Sequence, residues 1–151
     1  MAFAHPNLPG GVPAVVGVID PDVLTATTHD STWVDMRLWD EVMAVVMAGT
    51  LGASATLDAA FRQATDSSGT SAKVISPAKG ITQLTAAGTD SDKQAVLKIR
   101  SDELDHENGF YFVGLRITVA VASSDGGALL LGLAGRFQPG TDLAAVDEIV
   151  T

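Results

Sequence analysis

The stretch Ala53-Ser-Ala-Thr-Leu-Asp-Ala-Ala-Phe-Arg-Gln63 decides how the rest of the chain is read. Ala53, Ala55, Leu57, Ala59 and Phe61 fall on one side of a two-residue repeat. Ser54, Thr56, Asp58 and Arg62 fall on the other, and only Ala60 blurs the pattern. Such alternation marks a half-buried β-strand, with one face on a core and one in water. The strand runs into Thr65-Asp66-Ser67-Ser68-Gly69-Thr70, a turn cluster. Strand followed by Gly/Ser/Asp turn is the grammar of most of the chain.

On the N-terminal side, Val42 to Ala48 is a continuous apolar run, VMAVVMA. Its valines and length predict a central strand buried on both faces, although periodicity alone leaves a short helix open. Gly49-Thr-Leu-Gly52 then turns it into Ala53–Gln63. Before it, Trp33 to Trp39 alternates, with Val34, Met36 and Leu38 on one face and Trp33, Asp35, Arg37 and Trp39 on the other. If the aliphatic face is the core, two tryptophans and an Asp/Arg pair stand outward, the residue types that anchor protein interfaces. The alternative is that the domain covers both faces itself, with Arg37 paired to Asp35 or Asp40. Val15 to Ile19 reads as a short strand stopped by Asp20-Pro21, and Val23 to Thr28 is rich in β-branched residues. Residues 1–13 carry Pro6, Pro9 and Pro13 with Gly10 and Gly11, an extended arm or a frayed terminus. As an arm resting on a neighbouring subunit, it makes Pro6 and Pro9 candidate contacts.

On the C-terminal side, Ala72–Ile75, Ile81–Thr85 and Ala95–Arg100 read as strands, the second weakly patterned. Ser101 to Asn108, SDELDHEN, is the most acidic loop. Phe110 to Val121 is the longest strand, and Ala128 to Leu133 the last. The tail from Gln138 reads as one helical turn or an extended lash. Eight or nine strands spaced by about ten residues, with no convincing amphipathic helix, predict an all-β fold. We expect an antiparallel β-sandwich or jelly roll of about eight strands. The expected organisation is an arm over 1–20, a sandwich domain over 21–137 and a tail over 138–151.

The 151 residues suit one domain with a real core. The absence of cysteine removes disulfides, thiolate metal sites and a Cys nucleophile. Net charge is −9, and the nine Lys and Arg are scattered singly, so nucleic acid is not an expected partner. No apolar run reaches membrane-spanning length, and residues 1–10 lack the basic start and apolar stretch of a signal peptide. His5, His29 and His106 lie far apart, and no metal site is expected. The acidic loop does not match the EF-hand spacing. There is no nucleophile elbow, P-loop or dinucleotide fingerprint. No cofactor and no enzymatic activity are expected. Were there catalysis, Asp35, Asp58 and the Asp102–Glu107 loop would be the first carboxylates to test.

Several strings carry a resemblance. They are Trp33-Val-Asp-Met36, Ala59–Gln63 running into Ala64-Thr-Asp66, Gly69-Thr-Ser-Ala-Lys73 and Gly80-Ile-Thr-Gln-Leu84. Ser91-Asp-Lys-Gln94 and Leu104 through Asn108-Gly-Phe-Tyr111 continue them. Together, over roughly residues 32–150, they resemble small proteins encoded in the head-gene region of tailed bacteriophages, usually beside the major capsid protein gene. These look like head decoration, or cement, proteins. The resemblance implies a structural virion protein, made in the host cytoplasm, that binds the outer capsid surface. Its implied partners are the major capsid protein and two further copies of itself, as a homotrimer. A competing expectation is a non-catalytic carbohydrate- or receptor-binding sandwich. That reading requires Trp33, Trp39 and Tyr111 to converge on one face.

Overall fold

The computed structural model describes residues 13–137 and 140–148. Ten strands and two short 3-10 turns follow one another among the described residues. They are β1 (Ala14–Leu24), β2 (Thr28–Asp30), β3 (Val34–Asp35), β4 (Trp39–Ala48), β5 (Thr56–Ala64), β6 (Lys73–Val74), β7 (Leu84–Thr85), β8 (Gln94–Arg100), β9 (Phe112–Ala120) and β10 (Ser124–Gly135). All pairings are antiparallel. A front sheet runs β1-β10-β4-β8 and a back sheet runs β2-β9-β5-β6. In the back sheet β3 also pairs with β9, and β7 also pairs with β5. The short strands β2 and β3 therefore share one side of β9, and β6 and β7 one side of β5, so each sheet is four strands wide.

The pairings are nested. β1 takes β10, β2 and β3 take β9, β4 takes β8, and β5 takes β6 and β7. One long antiparallel ribbon has been rolled into two packed sheets, which is the jelly-roll arrangement. Both inner faces meet in a single core, with Leu57, Phe61, Leu115 and Ile117 of the back sheet and Val42, Val46, Ile99 and Leu130 of the front sheet all shut off from water. Each such side chain contributes roughly 1.5–3 kcal/mol by leaving water.

The organising strand behaves as its alternation requires: Leu57, Ala59 and Phe61 are buried, while Asp58, Ala60 and Arg62 keep contact with solvent. Ala53 and Ser54 precede the strand, in the turn where Ser54 has φ of 59°. The turn after β5 is tied by Asp66, whose Oδ1 accepts hydrogen bonds from the Ser68 and Thr70 amides at 2.9 and 3.0 Å. Such short side chains stabilise turns by replacing a backbone acceptor.

Three expectations need correction. Asp20-Pro21 does not end the first strand. β1 continues to Leu24 across a register shift between Ile19 and Asp22. The strand lies at the sheet edge, where the proline's missing N–H breaks no ladder bond. The boundary expected at residue 20 thus falls inside β1, and 14–20 belong to the sandwich; residues 1–12 are outside the described part. Second, Trp33 to Trp39 is not one strand. The Asp35 carboxylate accepts the Arg37 amide at 2.9 Å, and Leu38 N–H bonds to Asp35 C=O at 3.1 Å. This turn carries the chain from the back sheet to the front sheet and resets the alternation. Leu38 is consequently exposed and Trp39 is buried. Third, Val42–Ala48 is not buried on both faces: Val42, Ala44, Val46 and Ala48 point into the core, whereas Met43, Val45 and Met47 point outward.

The acidic loop forms 3-10 turns at Ser101–Glu103 and His106–Asn108, the latter ended by Gly109 at φ 81°. The segment 140–148 has no helix. It lies along the free edge of β1, where the Asp142 carboxylate accepts the Val15 amide at 2.6 Å and Leu143 N–H donates to Val15 C=O at 2.8 Å. Among the described residues, no helix is long and apolar enough to cross a membrane.

Candidate interaction surface

The two sheets present different outer faces. On the back sheet the outward residues are mostly polar or covered. Arg116 makes a two-pronged ion pair with Asp30 at 2.6 Å on each prong, and Gln83 donates to Asp58 at 2.7 Å. The indole of Trp33 lies on Gly114 and Gly69.

On the front sheet the outward residues are mostly apolar on β1, β10 and β4, and on β8 Val96 stands among Gln94, Lys98 and Arg100. The register places Val18, Leu129, Val45 and Val96 in one row, and Val15, Leu131, Met43 and Lys98 in the next. Met47 flanks the first row opposite Gly127, and Leu133 flanks the second opposite Glu41. None of these apolar side chains is fully buried; Val96 is 61% and Met47 44% exposed. Charges sit at the margin, where Lys98 meets Glu41 at 2.9 Å and Arg100 meets Asp102 at 2.9 Å. An apolar centre with a polar rim is the anatomy of a protein–protein interface. Beyond Met47 the face runs into an open depression of about 390 Å³ between Pro21–Val23 and Asp125–Gly127, whose titratable groups are Asp22 and Asp125.

The candidate residues read from the sequence fall elsewhere. Trp39 is 6% exposed, so it is not an outward anchor; its indole packs closely against Gly132 and Gly140. Trp33 is on the outer face of the back sheet, but the turn at Gly69 covers it. Asp35 and Arg37 pair with each other through two hydrogen bonds of 2.9 and 2.7 Å. Pro6 and Pro9 lie outside the described residues. Trp33 and Trp39 thus pack on different glycines in different sheets and form no common platform with Tyr111.

Around Arg37 and the acidic loop, a second group of side chains closes one end of the molecule. The Arg37 guanidinium stands 5.5 Å from the ring centres of both Tyr111 and Phe112, and His106 stacks on Tyr111 at 5.1 Å. Lys73 reaches Asp105 at 2.5 Å and lies 3.8 Å from the centre of the Phe110 ring. Gln63, buried in β5, accepts the Asp105 amide at 2.8 Å. The Arg37 hydrogen bond holds the Asp35 carboxyl below its ordinary range, Lys79 does the same for Glu103, and Lys73 with Asn108 for Asp105. Glu103 and Asp105 of the loop are therefore paired from within the chain. Among the described residues no three His, Asp or Glu side chains are grouped to hold a metal. Seven of the nine basic side chains sit in such internal ion pairs, which leaves little free positive charge for phosphates.

The front-sheet face was the surface that residue-type reasoning missed. Its signal is present in VMAVVMA and in Ala128–Leu133, ALLLGL. In an antiparallel sandwich a strand with one wet face alternates. A run that fails to alternate therefore asks for cover on its second side, and here the chain's other sheet covers only the first. No family model matches the chain, and no curated protein matches it significantly.

Proposed function

We propose that this protein is a structural assembly subunit, a decoration or cement protein on the outer surface of a phage head, where it strengthens contacts between major capsid protein subunits. The observation that carries the reading is the apolar outer face of the front sheet. An open sheet face with an apolar centre on β1, β10 and β4 and a charged β8 margin accommodates another protein surface, and is too open to enclose a small substrate. The phage-head assignment itself rests on the resemblance of the short strings from Trp33 to Tyr111. A protein that binds only the completed shell stabilises it by its binding free energy, and many modest contacts act together.

The test is co-sedimentation with empty expanded shells assembled from the major capsid protein that the proposal requires to be encoded with this chain. Saturable binding, with a shell melting temperature that rises with added protein, is expected. Protein that stays in the supernatant at every concentration, leaving shell melting unchanged, would refute the assignment. The carbohydrate-binding alternative gains no support from the placement of Trp33 and Trp39.

A further inference from the structure

We infer that a hollow on the outer face of the back sheet is a receptor site for one carboxylate, the side chain of an Asp or Glu on a partner protein. The site is on the opposite sheet from the apolar face, and the inference goes beyond the assembly reading without resting on it.

The hollow begins at the one residue that blurs the alternation of β5. Ala60 stands on the wet face between Asp58 and Arg62, a methyl between two longer side chains. Across the sheet its neighbours are Arg116 on β9 and Gly80, which pairs with it in an isolated bridge and adds no side chain. The result is a depression of about 110 Å³, walled by Asp58, Arg62, Val74, Arg116 and Thr118 around Ala60. Pockets that enclose a small molecule run to about 300–1,000 Å³. This one has room for a single planar group, which selects a group projecting from a larger body over a free ligand.

Charge says which group. Seven of the nine basic side chains are in internal ion pairs. The two outside them are Lys93, which is exposed, and Arg62, which is half-buried. Arg116 is matched by Asp30 at 2.6 Å on both prongs. Arg62 Nη2 donates to Ala72 C=O at 3.0 Å, and among the described residues its buried Nε has no acceptor. The guanidinium is thus held by a neutral carbonyl and brings an unbalanced positive charge to the wall of the hollow. A half-buried cation without a counter-ion is disfavoured, and the planar fork of arginine matches a carboxylate. Arginine in such a fixed setting is also a frequent anchor of interfaces. Asp58 lines the far end, but four residues of strand place it about 13 Å from Arg62. At that separation its repulsion is largely screened at physiological salt, and Gln83 already donates to it at 2.7 Å. A phosphate would call for a second unmatched cation, which Arg116 is not.

The test is NMR of the arginine Nε–H signals of the whole chain at pH 7. Sodium acetate is titrated to about 200 mM against sodium chloride at equal ionic strength, so that screening stays constant. We expect the Arg62 signal to move saturably with acetate, to ignore chloride, and to move further than those of the exposed Arg37 and Arg100. A blocked tripeptide with a central glutamate should move it too, and its glutamine counterpart should not. Ala60→Leu fills the hollow without touching the Arg62 bond to Ala72, and should abolish both responses. Circular dichroism and thermal melting check its fold, and the smaller Ala60→Val takes its place should it unfold. An Arg62 signal that stays still, or that moves equally in the filled variant, would overturn the site. A response to acetate but not to the glutamate peptide would overturn the side-chain source and leave a free carboxylic acid as the ligand. Inorganic phosphate acting at lower concentration than acetate would overturn the choice of carboxylate. None of these outcomes needs a shell, so failure here leaves the decoration reading to its own co-sedimentation test.

Discussion

Ser31 offers the sharpest test of how the ribbon is held. It lies between β2 and β3, where strand pairing with β9 is interrupted, and it is 4% exposed. Its amide donates to Leu115 C=O at 2.9 Å, as a strand residue would. The return bond is different: Leu115 N–H donates to the Ser31 hydroxyl, also at 2.9 Å, and the hydroxyl donates to Thr32 C=O at 2.8 Å. One side-chain oxygen thus stands in for a backbone carbonyl and lets two short strands share one partner. Ser31→Ala removes that oxygen and leaves the Leu115 N–H buried without an acceptor. An orphaned buried donor costs about 1–3 kcal/mol. For a domain of this length each kcal/mol lowers the melting temperature by roughly 2–4 °C, so the expected drop is about 2–12 °C. Thermal unfolding followed by circular dichroism gives the loss, and amide hydrogen exchange locates it: Leu115 should exchange faster in the variant. Thr27→Ala, at an exposed position just before β2, should change stability by less than about 0.5 kcal/mol. If Ser31→Ala also stays below about 0.5 kcal/mol with Leu115 protection intact, the hydroxyl is not the bridge described.

Two further predictions concern packing and charge. A Cβ added at Gly132 would lie 2.5 Å from Trp39 Cδ2, and Gly140 lies close to the Cη2 edge of the same ring. Gly132→Ala should therefore destabilise by about 1–3 kcal/mol despite alanine's better strand entropy, and protease should cut the 140–148 segment sooner; an unchanged melting temperature would contradict the clamp. Asp35, Glu103 and Asp105 have folded pKa values below their unfolded ones, so their stabilisation is present above roughly pH 4 and is lost as pH falls through the lowered values. Melting temperature should hold from pH 7 to 5 and fall below about pH 4, and the gap between wild type and Asp35→Asn should narrow with acid. A gap that widens on acidification would reverse the assignment.

Residue patterns carried the architecture further than they carried the surface. The alternation of Leu57, Ala59 and Phe61 is a direct imprint of one buried face, and turn clusters punctuate most of the strands that pack with it. The misplacement of Trp39 has a local cause. A turn built by the Asp35 carboxylate shifts the phase of the chain, and a two-residue repeat carries no record of which side chain will accept an amide. Asp20-Pro21 misled for a related reason, since a proline's cost depends on whether the strand is central or at an edge, which only the assembled sheet decides. The front-sheet face was legible in VMAVVMA as a demand for cover on both sides. What the run cannot say is whether the second cover comes from within the chain, and assigning it to the protein's own core hid the surface.

The nesting of the ribbon also sets an order in time. The innermost pair, β5 with β6 and β7, can close once residues up to Thr85 have been synthesised, but β1 must wait for β10, its only ladder partner among the described residues and the last of their strands to be made. Pairings between distant parts of a chain form late and slowly. The apolar face is composed of β1, β10, β4 and β8, so it does not exist until that last pairing is made. A nascent or truncated chain cannot display it. Under the proposed role, completion of the fold would be the licence for assembly, and unfinished subunits would be kept out of the structure they would weaken.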